Sequence, residues 1–158
     1  MAVDEECRIV KLERPDDAAW AAIGGGLHEY NTAAAGAGGG SPVCYLLMGP
    51  QQRIAGGIIG ETHWDWLYVN RLFVVEDHRG RGHGRQLLAA AEEEARSRGA
   101  RSAYLDTFSF QAPGFYEKLG YEVFGVLPDF PPGHVRLYMR KRLSLPGRCC
   151  PAAIGMRP

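Results

Sequence analysis

The chain has 158 residues, 46% of them hydrophobic, which suffices for one domain with its own core and is short for two. Lys and Arg together number 18, as do Asp and Glu, so the net charge is zero, which argues against a dedicated nucleic-acid binder with its basic excess. Four cysteines (Cys7, Cys44, Cys149, Cys150) show no CxxC or Cys/His ligand spacing, so reduced thiols and no metal are expected.

The acidic start "MAVDEECRIVK" lacks the apolar core of a signal peptide. No run reaches the roughly 18 apolar residues of a membrane span, so a cytoplasmic protein without membrane contact is expected. Cys7 to Leu12 reads as a short strand. Pro15 and the two aspartates after it suit a helix N-terminus, and Trp20, Ile23 and Leu27 recur at helical spacing. Gly24 to Gly26 interrupt that pattern, so a weak or broken helix is expected, followed by a mobile loop in "AAAGAGGGSP".

Three strands come next: Val43 to Met48, Arg53 to Thr62 and Asp65 to Val75, the first two joined by a turn at "GPQQ". Strict alternation in the third puts Leu67, Val69, Arg71 and Phe73 on one face, and Trp66, Tyr68, Asn70, Leu72 and Val74 on the other. "HRGRGHGRQLLAAAEEEA" then passes from a glycine-arginine loop into a helix. Leu87, Leu88, Ala91 and Ala95 share its apolar face, Glu92 to Glu94 are expected mostly in solvent, and Gly99 is the stop. "SAYLDTF" reads as a buried strand, and "QAPGFYEKLG" as a short helix between Pro113 and Gly120. "YEVFGVL" and "HVRLYMRKRL" read as strands. Helices among strands, with hairpins at both ends, argue for an α/β domain with a mixed sheet. The domain is expected over 1–143, with 144–158 a flexible tail.

The loop at 78–85 admits three readings: a nucleic-acid tag, a solvated connection, or an anion cradle. Its place between a strand and a helix favours the cradle, because a helix N-terminus offers unpaired N–H groups and the positive end of the dipole. Glycines let a ligand approach the backbone closely. GxxxxGK[ST] is absent, and Gly80, Gly82 and Gly84 follow GxGxG after hairpins, so neither a P-loop nor a dinucleotide fold fits.

"VVEDHRGRGHGRQLL" resembles the acetyl-CoA signature of the GNAT N-acetyltransferases, in which an Arg or Gln precedes a glycine by three and a second small residue by five. Arg79, Gly82 and Gly84 fill those places. "FYEKLGYEVFG" resembles the family's second hallmark, 31 residues on from Gly84 to Phe115. The resemblance implies a mixed, mostly antiparallel sheet of six to seven strands splayed around the cofactor, with about four flanking helices. It further implies acetyl-CoA as co-substrate. The amides of about Arg79 to Gly84 would hold its pyrophosphate, with Arg85 beside them. Leu72, Phe73 and Val74 would pair with the pantetheine arm as an added strand does. The splayed segments would be Arg71–Val75 and Ala103–Thr107. Ser109 stands where the family often has an asparagine against the pantetheine.

Acetyl transfer needs a neutral amine, a donor to the thioester carbonyl, and a proton for the departing thiolate. By resemblance the donor is the Val74 N–H and the acid is Tyr116, which also borders the cofactor. Relatives carry a glutamate where this chain has Asn70, and an amide takes no proton at neutral pH. Glu61, His63, Asp65 and Tyr68 are nearby candidates for a base; otherwise the amine arrives neutral. In the family fold the acceptor cleft would be ringed by Glu61, Trp64, Asp65 and Trp66, by Asp129 and Phe130, and by Glu29 and Tyr30, with Asn70 and Asp106 between them. Aromatic walls with several carboxylates suit a small cationic amine.

Residues 103–142 resemble a bacterial subgroup that includes aminoglycoside-type, kasugamycin-like antibiotic acetyltransferases. Acetylation of protein N-termini or lysines, and non-catalytic coenzyme A binding, are the rival readings. A homodimer is expected from the resemblance, and no nucleic-acid partner.

Overall fold

A computed structural model describes residues 7–143. The expected tail at 144–158, with Cys149 and Cys150, lies outside them. The chain divides into two compact units, residues 1–38 and 39–158.

In the first unit, Cys7 to Leu12 forms no strand: Ile9, Val10 and Leu12 are exposed, and the segment has no ladder hydrogen bonds among the described residues. A lone extended segment leaves its backbone groups to water and gains nothing from β-propensity. Helix α1 (Asp17–Ala35) runs unbroken through Gly24 to Gly26, against expectation. Three glycines cost roughly 1 kcal/mol each, and the alanines on both sides are the best helix formers. Asp16 adds an N-cap, its carboxylate accepting from Ala19 N–H at 2.7 Å. The helix therefore absorbs the first residues of the expected loop and stops at Gly36, φ 78°.

The second unit is one six-stranded sheet: β1 (Ser41–Met48), β2 (Ile54–His63), β3 (Trp66–Val74), β4 (Ser102–Phe108), β5 (Glu122–Pro128) and β6 (Val135–Arg142). The spatial order is β1-β2-β3-β4-β6-β5. All neighbours are antiparallel except β3 and β4, which need a crossover because they run parallel. Helix α2 (His83–Ser97) supplies it, and α3 (Pro113–Glu117) follows β4. Six strands and three α-helices among the described residues make the mixed α/β architecture that the sequence implied.

The core lies between α2 and one face of the sheet. Leu87, Leu88, Ala91 and Ala95 of the helix pack on Ile58, Leu67, Val69, Ala103, Leu105 and Met139. Each fully buried leucine of this seam is worth roughly 1.5–3 kcal/mol. The opposite sheet face carries Trp66, Tyr68, Tyr104, Asp106, Phe108, Arg136 and Tyr138, and it remains partly open to water.

Two departures from the sequence expectation shape the site. The β2–β3 register shifts between Ile59↔Arg71 and Gly60↔Val69, so Asn70 is an extra residue, a β-bulge. The bulge inverts the alternation beyond it. Leu72 and Val74 turn to the core beside Leu67 and Val69, while Arg71 and Phe73 are exposed. The second departure is Glu92, which is buried at 5% exposure instead of solvated. Its carboxylate accepts from Tyr121 Oη at 3.0 Å and from Lys141 Nζ at 2.7 and 2.9 Å, so the charge is paired inside the fold.

Candidate active site

The bulge is also where the sheet opens. β3 and β4 pair from Trp66↔Ser102 to Val69↔Leu105 and no further. The splay thus begins three residues later on β4 than expected, at Asp106, since Ala103 to Leu105 are still paired. The gap is a cleft of about 1050 Å³, floored by residues 70–74 and walled by the glycine loop, the end of β4, α3 and Arg136. It exceeds an ordinary small-ligand pocket and has room for a cofactor arm and an acceptor together.

The exposed edge of β3 offers its backbone to this cleft. Val75 N–H donates to Ala55 O at 2.9 Å, on the β2 side. N–H directions alternate along a strand, so the Val74 N–H points to the cleft side. The Val74 carbonyl, on the same edge, accepts from Arg79 Nε at 2.8 Å.

That bond ties the loop down. Arg79 N–H donates to Glu76 O at 2.9 Å, and its guanidinium lies 5.7 Å from the Phe73 ring centroid. Arg79 thus positions the strand-loop junction, and the amides left for a ligand begin at Gly80. Gly80 (φ 72°) and Gly82 (φ 83°) sit in the left-handed region that a side chain resists. A Cβ at either would meet nothing within 4 Å, so the space above them is open. Gly82 is the N-cap of α2 and has no capping side chain, which leaves the first-turn N–H groups of His83, Gly84 and Arg85 uncapped. Of residues 79–85 all but Arg81 line the cleft.

The two sequence hallmarks meet here. A Cβ on Gly84 would lie 3.4 Å from Phe115 Cζ, so the glycine lets α3 come against α2. Tyr116 follows, its ring edge-on to Phe115 at 5.0 Å and to Tyr121 at 5.9 Å. Burial raises the Tyr116 phenol pKa above its ordinary value, and the negative charge of Asp106 adds to the rise. The phenol is therefore a retained proton donor at neutral pH.

Asp106 is the one carboxylate lining the cleft among the described residues. Its Oδ1 accepts from Tyr68 Oη at 3.3 Å, and its Oδ2 accepts from Arg136 Nε at 2.8 Å and Nη2 at 2.7 Å. The Arg136 guanidinium stands 5.4–5.5 Å from the ring centroids of Phe108, Phe130 and Tyr138. Phe130 meets Phe108 edge-on at 6.1 Å.

The other expected acceptor residues divide. Asn70 lines the cleft at the bulge. Glu61, His63, Trp64 and Trp66 surround a separate hollow of about 300 Å³, with Tyr104 and with Tyr68, which borders both spaces. Tyr68 and Tyr104 stack at 4.8 Å there. Asp65, at the β2–β3 turn, faces Arg101 at 3.5 Å. Asp129 accepts from Gly133 N–H at 2.7 Å and closes its own turn. Glu29 and Tyr30 belong to α1 of the first unit.

Ser109 does not line the cleft: its hydroxyl accepts from Val135 N–H at 3.1 Å and joins β4 to β6. Gln111 is there instead, its Oε1 accepting from Thr107 Oγ1 and Phe108 N–H, both at 2.9 Å. Sequence reasoning missed Arg136, Phe108 and Gln111. Alternation puts Arg136 and Tyr138 on one face of β6, but only the β4–β6 register, Phe108↔Arg136, brings that face to Asp106.

Residues 42–123 match the acetyltransferase (GNAT) domain family. An acetyltransferase of Agrobacterium fabrum is 38% identical over 116 residues, covering 73% of this chain and 85% of that protein. The blasticidin-S acetyltransferase of Streptomyces morookaense is 43% identical over 86 residues, 54% of this chain, and the match spans only 63% of that relative's length. Among solved structures, an acetyltransferase of Bacillus cereus superposes with a TM-score of 0.78 at 33% identity, covering 85% of this chain and 98% of the other. With the family matched over more than half of the chain, on a sheet opened at a bulge above a glycine cradle, the chain belongs to the GNAT family of acetyltransferases, whose acetyl donor is acetyl-CoA.

Proposed function

We propose that this protein transfers an acetyl group from acetyl-CoA to a primary amine of a small molecule, directly, with both substrates bound in the cleft. The observation that carries this reading is the placing of an open, uncapped helix N-terminus and a protonated phenol on one cleft. Amides from Gly80 to Arg85 suit a diphosphate, and the open space above Gly80 and Gly82 fits its approach. The β3 edge from Leu72 to Val74 suits an amide-rich arm laid beside it.

When bound, acetyl-CoA supplies a thioester activated toward amines. The Val74 N–H stabilises negative charge on the carbonyl oxygen, and a fixed backbone donor reorganises little as that charge grows. Tyr116 Oη would give its proton to the leaving sulfur and regain one released from the attacking nitrogen as the amide forms, directly or through water; ordinary phenol and thiol pKa values are about 10 and 8.5, so the transfer needs the donor held beside the sulfur. Asn70 cannot serve as base, and the Asp106 carboxylate is engaged by Arg136 and Tyr68. The acceptor therefore enters with its amine neutral, or sheds the proton to water in the cleft.

For the acceptor, the similarity to blasticidin-S acetyltransferase and the aromatic walls support a small antibiotic-like amine. A polycationic aminoglycoside has less support, because Asp65, Asp106 and Asp129 already have partners. The test is thiol release from acetyl-CoA across a panel of antibiotics, amino acids and peptides with free amines. Turnover with small amines and not with peptides is expected; turnover confined to peptides would replace this reading with protein acetylation.

A further inference from the structure

We propose that Arg136 and Asp106 form an acceptor subsite for an amphoteric substrate, one that carries a carboxylate near the amine to be acetylated. The inference rests on the acetyltransferase reading and narrows it. Asp106 engages Nε and Nη2 of Arg136 through its Oδ2 at 2.8 and 2.7 Å. Those contacts use one side of the guanidinium fork and leave Nη1 to a ligand. Phe108, Phe130 and Tyr138 hold the group 5.4–5.5 Å from their ring centroids, so it is oriented and partly screened before a ligand arrives. A planar, immobilised fork is the best protein partner for a carboxylate.

The charge balance points the same way. Arg136 and Asp106 cancel, so a polycation gains no net attraction at this wall of the cleft. An amino acid gains where a polycation does not, because its carboxylate meets the free side of the Arg136 fork while Asp106 stays engaged by Arg136 and Tyr68. Arg136, Asp106 and Tyr116 line the same cleft, so an acid held at Arg136 shares its space with the proton donor.

The experiment measures thiol release by the whole protein with matched acceptors: an amino acid, its methyl ester and the amine lacking the carboxyl group, for α-, β- and γ-amino acids. At least one free amino acid is expected to exceed its ester and its decarboxylated amine in kcat/KM by roughly 10- to 100-fold, the worth of a charge-assisted hydrogen bond. Arg136→Gln should raise KM for that acid by the same factor and so remove its advantage over the ester. Acetyl-CoA affinity, read by thermal shift, should stay at the wild-type value. Arg136→Lys, which keeps the charge without the fork, should recover only part of the loss. Should Arg136→Gln fail to fold, the wild-type comparison alone decides. Esters, decarboxylated amines or polyamines reacting as well as the free acids would overturn the subsite while leaving the acetyltransferase reading intact. Absence of both an acetyl-CoA shift and thiol release with every amine would overturn the two together.

Discussion

Glu92 offers a sharp test of how the site is supported. It joins α2, whose N-terminus forms the cradle, to Lys141 on β6 and to Tyr121, whose ring abuts Tyr116. Glu92→Leu keeps the approximate volume and removes the bonds to Tyr121 and Lys141, along with a long ion pair to Arg96 at 3.8 Å, which keeps its partner Glu93. Tyr121 is 3% exposed, so its hydroxyl would be stranded without water, at about 1–3 kcal/mol. Lys141 keeps 24% of its side-chain exposure and can turn outward, so its loss belongs at the low end, about 1 kcal/mol. Relief from burying a carboxylate offsets part of the sum, and the expected cost is roughly 2–3 kcal/mol. Urea unfolding measures it. The companion is a triple variant, Glu92→Leu with Tyr121→Phe and Lys141→Met, which strands no polar group. It should return to within about 1 kcal/mol of wild type, because apolar replacement of a whole buried network is near neutral. A Glu92→Leu cost below about 0.5 kcal/mol, the range of an ordinary surface change, would mean that Glu92 is not holding a buried polar network together. So would a triple variant weaker than the single.

Other outcomes follow from the cleft. Tyr116→Phe should lower kcat by roughly 100-fold or more while acetyl-CoA affinity is nearly unchanged; unaltered turnover would remove Tyr116 as the acid. Gly82→Glu puts a side chain on a left-handed residue, costing about 1–2 kcal/mol, and a carboxylate where a diphosphate is expected. It should abolish the thermal shift with acetyl-CoA while far-ultraviolet circular dichroism still reports a folded chain. Burial and the neighbouring Glu92 raise the Tyr121 phenol far above its ordinary value, and Tyr116 is raised as well. Above about pH 10 the unfolded chain sheds phenol protons that the folded chain keeps, so stability should fall as pH rises and be fully present below pH 10. Tyr121→Phe should flatten that alkaline slope in urea titrations.

Much of the fold was legible because it is written locally. β4 begins and ends at Ser102 and Phe108 as read, α2 stops before Gly99 at φ 93°, and the glycine loop joins a strand to a helix. What escaped depends on partners distant in sequence. The alternation rule placed Leu72 and Val74 opposite Leu67 and Val69, and only the pairing with β2 reveals the extra residue at Asn70. The run Glu92 to Glu94 looks solvated, yet Glu92 lies at the edge of the apolar face and meets a lysine 49 positions on. The acceptor wall was the least legible part. Tryptophans and acids clustered in "ETHWDWLY" border a second hollow, while Arg136, unremarkable within "HVRLYMRKRL", lines the cleft.

The central claim is that the Gly80–Arg85 cradle and the β3 edge bind acetyl-CoA, and thermal unfolding with increasing acetyl-CoA tests it directly. A ligand that binds only the folded state adds about 2.7 kcal/mol at 100 times its Kd, which for a chain of this size is roughly 5–10 °C in Tm. A saturable rise of that order is expected, lost in Gly82→Glu. A Tm that stays flat up to millimolar acetyl-CoA, or a rise equally large in Gly82→Glu, would contradict it.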